Sequence, residues 1–215
     1  MENIDDIITD PIDFTSYRTQ FDIINKNCKF PEKVLFYGNG LTVAPDEWLE
    51  YPRIVFNLGR ICDNLFGIIC SKSNFHKAVE LSNNTADYYF VFGVRRRSRS
   101  IYNEDNKSFY MQSIHRHSMI REVFRNVKGP STGHCLIYYL LYSSIKEIYI
   151  AGFDGYEQKE EYGCVYADIW GGASISNRHP LNLEWQLIKK AIDIARIRGM
   201  KVTVATLPSF KGDTI

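Results

Sequence analysis

Charge of one sign is what this chain lacks: across 215 residues, 26 Lys and Arg face 25 Asp and Glu, leaving a net charge of +1. A dedicated nucleic-acid binder needs a clear basic excess for its phosphate contacts, so no nucleic-acid partner is expected. No apolar run reaches the roughly 18 residues that a membrane span requires. The start, Met1-Glu2-Asn3-Ile4-Asp5-Asp6, is acidic and lacks the basic-then-apolar order of a secretory signal. The five cysteines (Cys28, Cys62, Cys70, Cys135, Cys164) include no Cys-x-x-Cys pair. Neither a disulfide framework nor a Cys-rich zinc site is therefore indicated, and reduced thiols in a cytoplasmic protein are the expectation. Two nucleotide-site signatures are missing as well. Gly40 is followed by Leu41-Thr42-Val43, which breaks the Gly-x-Gly-x-x-Gly of a nicotinamide site. Asp-x-Asp, the carboxylate pair that holds a divalent cation on a sugar nucleotide, occurs nowhere.

What the chain does have is apolar and aromatic content. Hydrophobic residues make up 45% and aromatic ones 14%, with 14 Tyr and 13 Phe, enough to exclude a disordered protein. Short apolar runs recur at Lys33–Tyr37, Arg53–Asn57, Phe66–Cys70, Tyr88–Phe92, Lys146–Asp154 and Lys201–Ala205. Each has the length and the β-branched or aromatic content of a strand. Helices are expected around Asp46–Glu50, from His134 to Ser144, and from His179-Pro180 to Gly199. The last is read from Leu183, Leu187, Ala191 and Ile194, spaced by four, four and three. Strands alternating with helices predict an α/β protein with a mostly parallel sheet covered on both faces. The expectation is a single domain over 1–215, with a core of about 33–94 and 129–207. An irregular inserted region spans about 95–128, and a lid loop about 155–178.

Ligands of such sheets bind at the carboxyl ends of the strands. Four segments fall there or at helix starts: Gly38-Asn39-Gly40, Asn57, Pro130-Ser131-Thr132-Gly133 and Asp154. Glycines around Asn39 let backbone approach a ligand, although Asn-Gly is also a common turn dipeptide. Ser131 and Thr132 either cap a helix or leave its amides for an anion. His179 at a helix start feels the positive end of the dipole, which favours neutral imidazole and suits a general base; a capping histidine is the plainer reading. Tyr156, Tyr162 and Tyr166 stand in a glycine-rich loop, where phenols can donate to a leaving phosphate. Arg95-Arg96-Arg97-Ser98-Arg99 is a solvated loop, an attractor for an anionic acceptor or lipid head group, or a nucleic-acid patch, the last disfavoured by the near-zero net charge.

In this order the pieces resemble the bacterial sialyltransferases that build lipooligosaccharide, and more distantly the animal sialyltransferases. The likeness runs from Lys33-Val34-Leu35-Phe36-Tyr37-Gly38-Asn39-Gly40 through Phe56-Asn57 to Pro130-Ser131-Thr132-Gly133 and its downstream strand to Asp154, and it ends at Asn177-Arg178-His179. Cys70-Ser71 stands where the family places a further Asn, and Leu41-Thr42 where Pro-Ser commonly follows the turn. The resemblance implies a Rossmann-like, GT-A-variant fold and inverting glycosyl transfer from a CMP-activated acidic sugar to a hydroxyl of a glycan or glycolipid acceptor, with no metal and no cofactor. His179 would be the base, and Tyr162 with Tyr156 or Tyr166 would serve the leaving phosphate. Gly38, Asn39, Gly40, Asn57, Ser131, Thr132, Gly133 and Asp154 would hold the donor, and Arg95, Arg96 and Arg97 would face the acceptor. Peripheral contact with the inner membrane face and a homo-oligomer are compatible with this. Three rivals stand beside it. One is a diphosphokinase- or nucleotide-hydrolase-like enzyme using Mg²⁺ on Asp63, Asp154 and Asp168; another is a non-catalytic module that binds sugar nucleotides or glycans. The third is nucleic-acid binding through Arg95 to Arg99, which would show a steep salt dependence.

Overall fold

A computed structural model describes residues 11–40, 42–57, 59–60, 62–93, 102–111, 132–153 and 181–205, with side chains from 18 and 185 onward in the first and last segments. The elements are α1 (Pro11–Asn27), β1 (Lys33–Tyr37), a 3-10 turn (Asp46–Trp48), β2 (Arg53–Phe56), β3 (Leu65–Ser71), α2 (Phe75–Leu81) and β4 (Tyr88–Phe92). They continue with β5 (Tyr102–Asn103), β6 (Ser108–Met111), a second 3-10 turn (Thr132–Cys135), α3 (Leu136–Tyr142), β7 (Glu147–Ala151), α4 (Leu181–Ile197) and β8 (Lys201–Val204).

The strands form one sheet in the order β5-β6-β4-β3-β2-β1-β7-β8, parallel throughout except for β5 against β6. The central strands are buried on both faces, so their sequences are unbroken apolar runs rather than alternating ones. One face packs on α1, α3 and α4, through Phe21, Ile24, Tyr139, Trp185 and Ile188 against Phe36, Ile54 and Phe90. The other carries α2 and the first 3-10 turn, through Ala78 and Trp48 beside Val55, Ile68 and Tyr149. The α/β reading with helices on both faces therefore holds.

Three details differ from expectation. Helix α1 precedes the first predicted element and fills the core with Phe21, whose ring meets Tyr139 edge-on at 5.2 Å. The supposedly irregular centre supplies β5 and β6, because Phe109 and Met111 are wholly buried and extend the sheet past β4. On α4 the buried stripe is Trp185, Ile188, Ala191, Ile192 and Ala195, while Leu187 and Ile194 flank it. The large indole area pulls the face round by part of a turn from the predicted stripe.

From β1 the chain steps outward through β2, β3 and β4, then returns to lay β7 on the opposite side of β1. Strand order thus reverses between β1 and β7, the place where open parallel sheets form a crevice at their carboxyl ends.

Candidate functional site

At that reversal the two strand exits touch. The Gly38 N–H donates to the Ala151 carbonyl at 2.8 Å, and the Gly40 N–H to the Gly152 carbonyl at 2.9 Å. Gly152 has a left-handed backbone, φ +71°, and a Cβ on Gly38 would stand 2.2 Å from the Gly152 oxygen. The close approach that Gly38 permits is therefore to the neighbouring strand exit. Phe153 seals the same junction, its ring edge-on to Phe56 at 5.1 Å.

Asn39 sits between the two glycines, nine-tenths buried. Its Nδ2 donates to the Phe56 carbonyl at the end of β2, at 3.0 Å, while its Oδ1 is buried without a hydrogen-bond partner among the described residues. Such an oxygen costs free energy until a donor reaches it, so it marks either a water or a ligand position. Asn57 follows on the next strand with φ 54°, a left-handed turn that asparagine tolerates better than most residues. Its N–H donates to the Ile69 carbonyl at 2.7 Å. Its Oδ1 accepts from Asn74 Nδ2 at 3.3 Å and from Thr132 Oγ1 at 3.4 Å. Asn57 thereby ties the β2 exit to the turn before α2 and to the 3-10 turn that leads into α3.

Gly38, Asn39, Gly40, Asn57 and Thr132 are thus brought together, and Gly133 follows Thr132 in the same 3-10 turn. Ser131, Asp154, Tyr156, Tyr162, Tyr166, His179, Arg95, Arg96 and Arg97 lie outside the described residues, as does Asp168. Asp63 is exposed in the turn two residues before β3 begins, at the amino end of the sheet and away from the crevice. The magnesium-based rival loses that carboxylate. No cluster of three His, Cys, Asp or Glu side chains able to hold a metal occurs among the described residues.

Two residues escaped the sequence reading. Asn74, three places beyond β3, brings an amide to Asn57 although Cys70-Ser71 occupies the family's asparagine position. Cys70 itself points into the core, and burial pushes its thiol up to about 12, so it is no nucleophile. The second is Arg60, whose guanidinium lies 3.9 Å from the centre of the Tyr37 ring and donates to the carbonyls of Gly38 and Gly40. Only Ser-x-Ser-Asn after a strand, a turn signal, could have suggested Asn74. Nothing local marks Arg60.

No protein-family model matches the sequence, and no curated protein matches it. Solved structures do. The monofunctional alpha-2,3-sialyltransferase Cst-I from Campylobacter jejuni superposes with a TM-score of 0.51 at 15% identity, over 82% of this chain and 76% of that one. A variant of the sialyltransferase CST-II in complex with CMP gives 0.50 at 11% identity, over 80% and 81%. At such identities the likeness is one of fold. The resemblance drawn from the motifs holds at that level, with the same architecture over about four fifths of the chain.

Proposed function

We propose that this chain is an inverting, metal-independent glycosyltransferase that moves sialic acid or a related acidic sugar from a CMP-activated donor to a glycan hydroxyl. One observation carries the proposal: Asn39 and Asn57 stand at adjacent strand ends beside the strand-order reversal, and a buried amide oxygen of Asn39 awaits a donor. An ionised phosphate oxygen has no proton to give to that oxygen, whereas a nucleoside offers hydroxyl and amino donors. At the neighbouring strand end stand the amides of Asn57 and Asn74 and the Thr132 hydroxyl, groups that hold a neutral nucleoside by hydrogen bonds. The shared fold with a sialyltransferase crystallised with CMP supports the same reading.

Transfer from such a donor passes through an oxocarbenium-like state and needs an acceptor base, stabilisation of the departing phosphate, and exclusion of water. On the family resemblance His179 takes the acceptor proton, and Tyr162 with Tyr156 or Tyr166 donates to the phosphate. Arg95, Arg96 and Arg97 draw in an anionic acceptor. A thermal-shift panel of CMP, CDP, UDP and GDP tests the donor class. Stabilisation by CMP is expected, and a preference for UDP would sink the reading. Transfer from CMP-sialic acid should survive a chelator and be lost in His179→Ala; wild-type turnover by that variant at neutral pH refutes the base assignment.

A further inference from the structure

We propose that Arg60 is a positioning residue for the nucleotide crevice, acting through the Gly38–Gly40 turn; the proposal rests on the crevice being the donor site. Arg60 belongs to the connection that leaves β2 through Asn57, and its backbone is left-handed, φ 55°. Glycine or asparagine usually fills such a position, so a long side chain there is explained by what the side chain reaches. Nε donates to the Gly38 carbonyl at 2.9 Å and Nη2 to the Gly40 carbonyl at 2.6 Å, with the guanidinium plane resting on Tyr37. Tyr37 in turn accepts, through its hydroxyl, the N–H of Ala44 at 3.1 Å. The stretch from 38 to 44 is therefore held at both ends by one stacked Tyr–Arg pair.

The consequence for a ligand follows from what is already engaged. Both glycine N–H groups go to the β7 exit, and both glycine carbonyls go to Arg60. Asn39, between them, is the residue left to meet a nucleotide. Unheld, a glycine turn can rotate its peptides and present carbonyl oxygens to an anionic donor, which repels it. The fork also joins the two halves of the site, because Asn57 and Arg60 travel on one short connection while Asn39 travels on the other. A lysine keeps the charge but is a single point donor, so it cannot bridge two carbonyls in fixed geometry.

The test uses the full chain with Arg60→Lys and Arg60→Gly. Glycine relieves the left-handed backbone, so the second variant removes the fork without adding strain and keeps the experiment readable if the first folds poorly. Calorimetric titration with CMP should show Kd raised tenfold or more in both variants. In transfer, KM for the donor should rise with kcat changed less than threefold. Hydrogen exchange of amides 38–44 should quicken in Arg60→Gly while exchange in β3 and β4 stays as in the wild type. Wild-type CMP affinity in Arg60→Lys, or unchanged exchange at 38–44 in Arg60→Gly, overturns the proposal. If the wild-type chain binds no CMP, the functional reading fails, and the exchange comparison still decides whether Arg60 holds the turn.

Discussion

Gly38→Ala probes the contact on which the site is built. The new Cβ would lie 2.2 Å from the Gly152 oxygen and 2.8 Å from its carbon, where ordinary contact begins at 3.4 Å. The β1 and β7 exits must therefore part by about 1 Å, which stretches the Gly38 and Gly40 hydrogen bonds from 2.8 and 2.9 Å beyond useful length. Overpacking of this kind costs about 1–3 kcal/mol, and each lost hydrogen bond about 1 kcal/mol more. A total of about 3–5 kcal/mol is a large share of a typical ~5–15 kcal/mol stability. In a chain of this length it lowers Tm by about 6–20 °C. Gly152→Ala meets the Gly38 oxygen at 2.4 Å and adds a left-handed backbone at φ +71°, so it should cost about 1 kcal/mol more.

The decisive measurement is the double variant. Once one methyl has parted the strand exits, the second finds the gap already open. The pair should therefore destabilise by at least about 1 kcal/mol less than the sum of the singles. Urea unfolding of the four proteins, with m-values compared, gives that coupling. Additive costs, or wild-type stability in Gly38→Ala, refute the idea that the two glycines exist for each other.

Asn57→Ala and Asn57→Gly both remove the oxygen that Asn74 and Thr132 share, so both should weaken CMP binding alike. Only alanine strains the φ 54° backbone, and it should be about 1 kcal/mol less stable than the glycine variant; equal stability in urea contradicts this. Asn39→Asp keeps the shape but turns the donor toward the Phe56 carbonyl into an anionic oxygen. It should cost about 1–3 kcal/mol and abolish CMP binding, and a calorimetric Kd near wild type would argue against the site. Burial holds the Cys70 thiol protonated up to about 12, against 9.0 for an unperturbed thiol. Its native pKa is raised, so its contribution is intact below pH 9 and is lost as pH climbs toward 12, by up to about 1.4 kcal/mol per pH unit. The stability of Cys70→Ala should fall less steeply over that range, and parallel pH profiles in urea titrations count against the assignment.

The strands were legible because burial on both faces writes each as a plain apolar run; Val34–Tyr37 and Ile148–Ala151 are buried at every position. Helix α2 was not, since its stripe of Phe75, Ala78 and Val79 spans only two turns, too short to stand out in the sequence. β5 and β6 hid in a polar stretch because two or four residues leave too short a pattern, and only Phe109 and Met111 give them away. Within the site, Asn39 and Asn57 could be found as polar residues ending strands. Arg60 could not. Its partners lie 20 and 22 positions away, and a contact across two connections leaves no local pattern. The glycines were legible as close-approach positions, but the sequence does not say what approaches; strand order does, by placing Gly152 against Gly38.

That same contact fixes where a ligand can lie. In many open parallel sheets the crevice at the strand-order reversal is open to its base, and the ligand settles between the two diverging strands. Here Gly38 and Gly152 close the base by touching backbone to backbone, with Phe153 packed on Phe56 above them. The polar groups shift toward β2 and β3, where the buried Asn39 amide reaches the Phe56 carbonyl and the Asn57 oxygen joins Asn74 and Thr132. Neutral amides favour the uncharged part of a nucleotide, and Arg60, the cation in this group, already spends two donors on carbonyls. On the proposed reading the division of labour follows. The β1–β3 exits grip the nucleoside, and the phosphate and sugar project past the closed β1–β7 junction. Substitutions at Asn39 or Asn57 should then change affinity for CMP and for the intact donor by the same factor, while substitutions at the tyrosines should change turnover and leave CMP affinity nearly untouched.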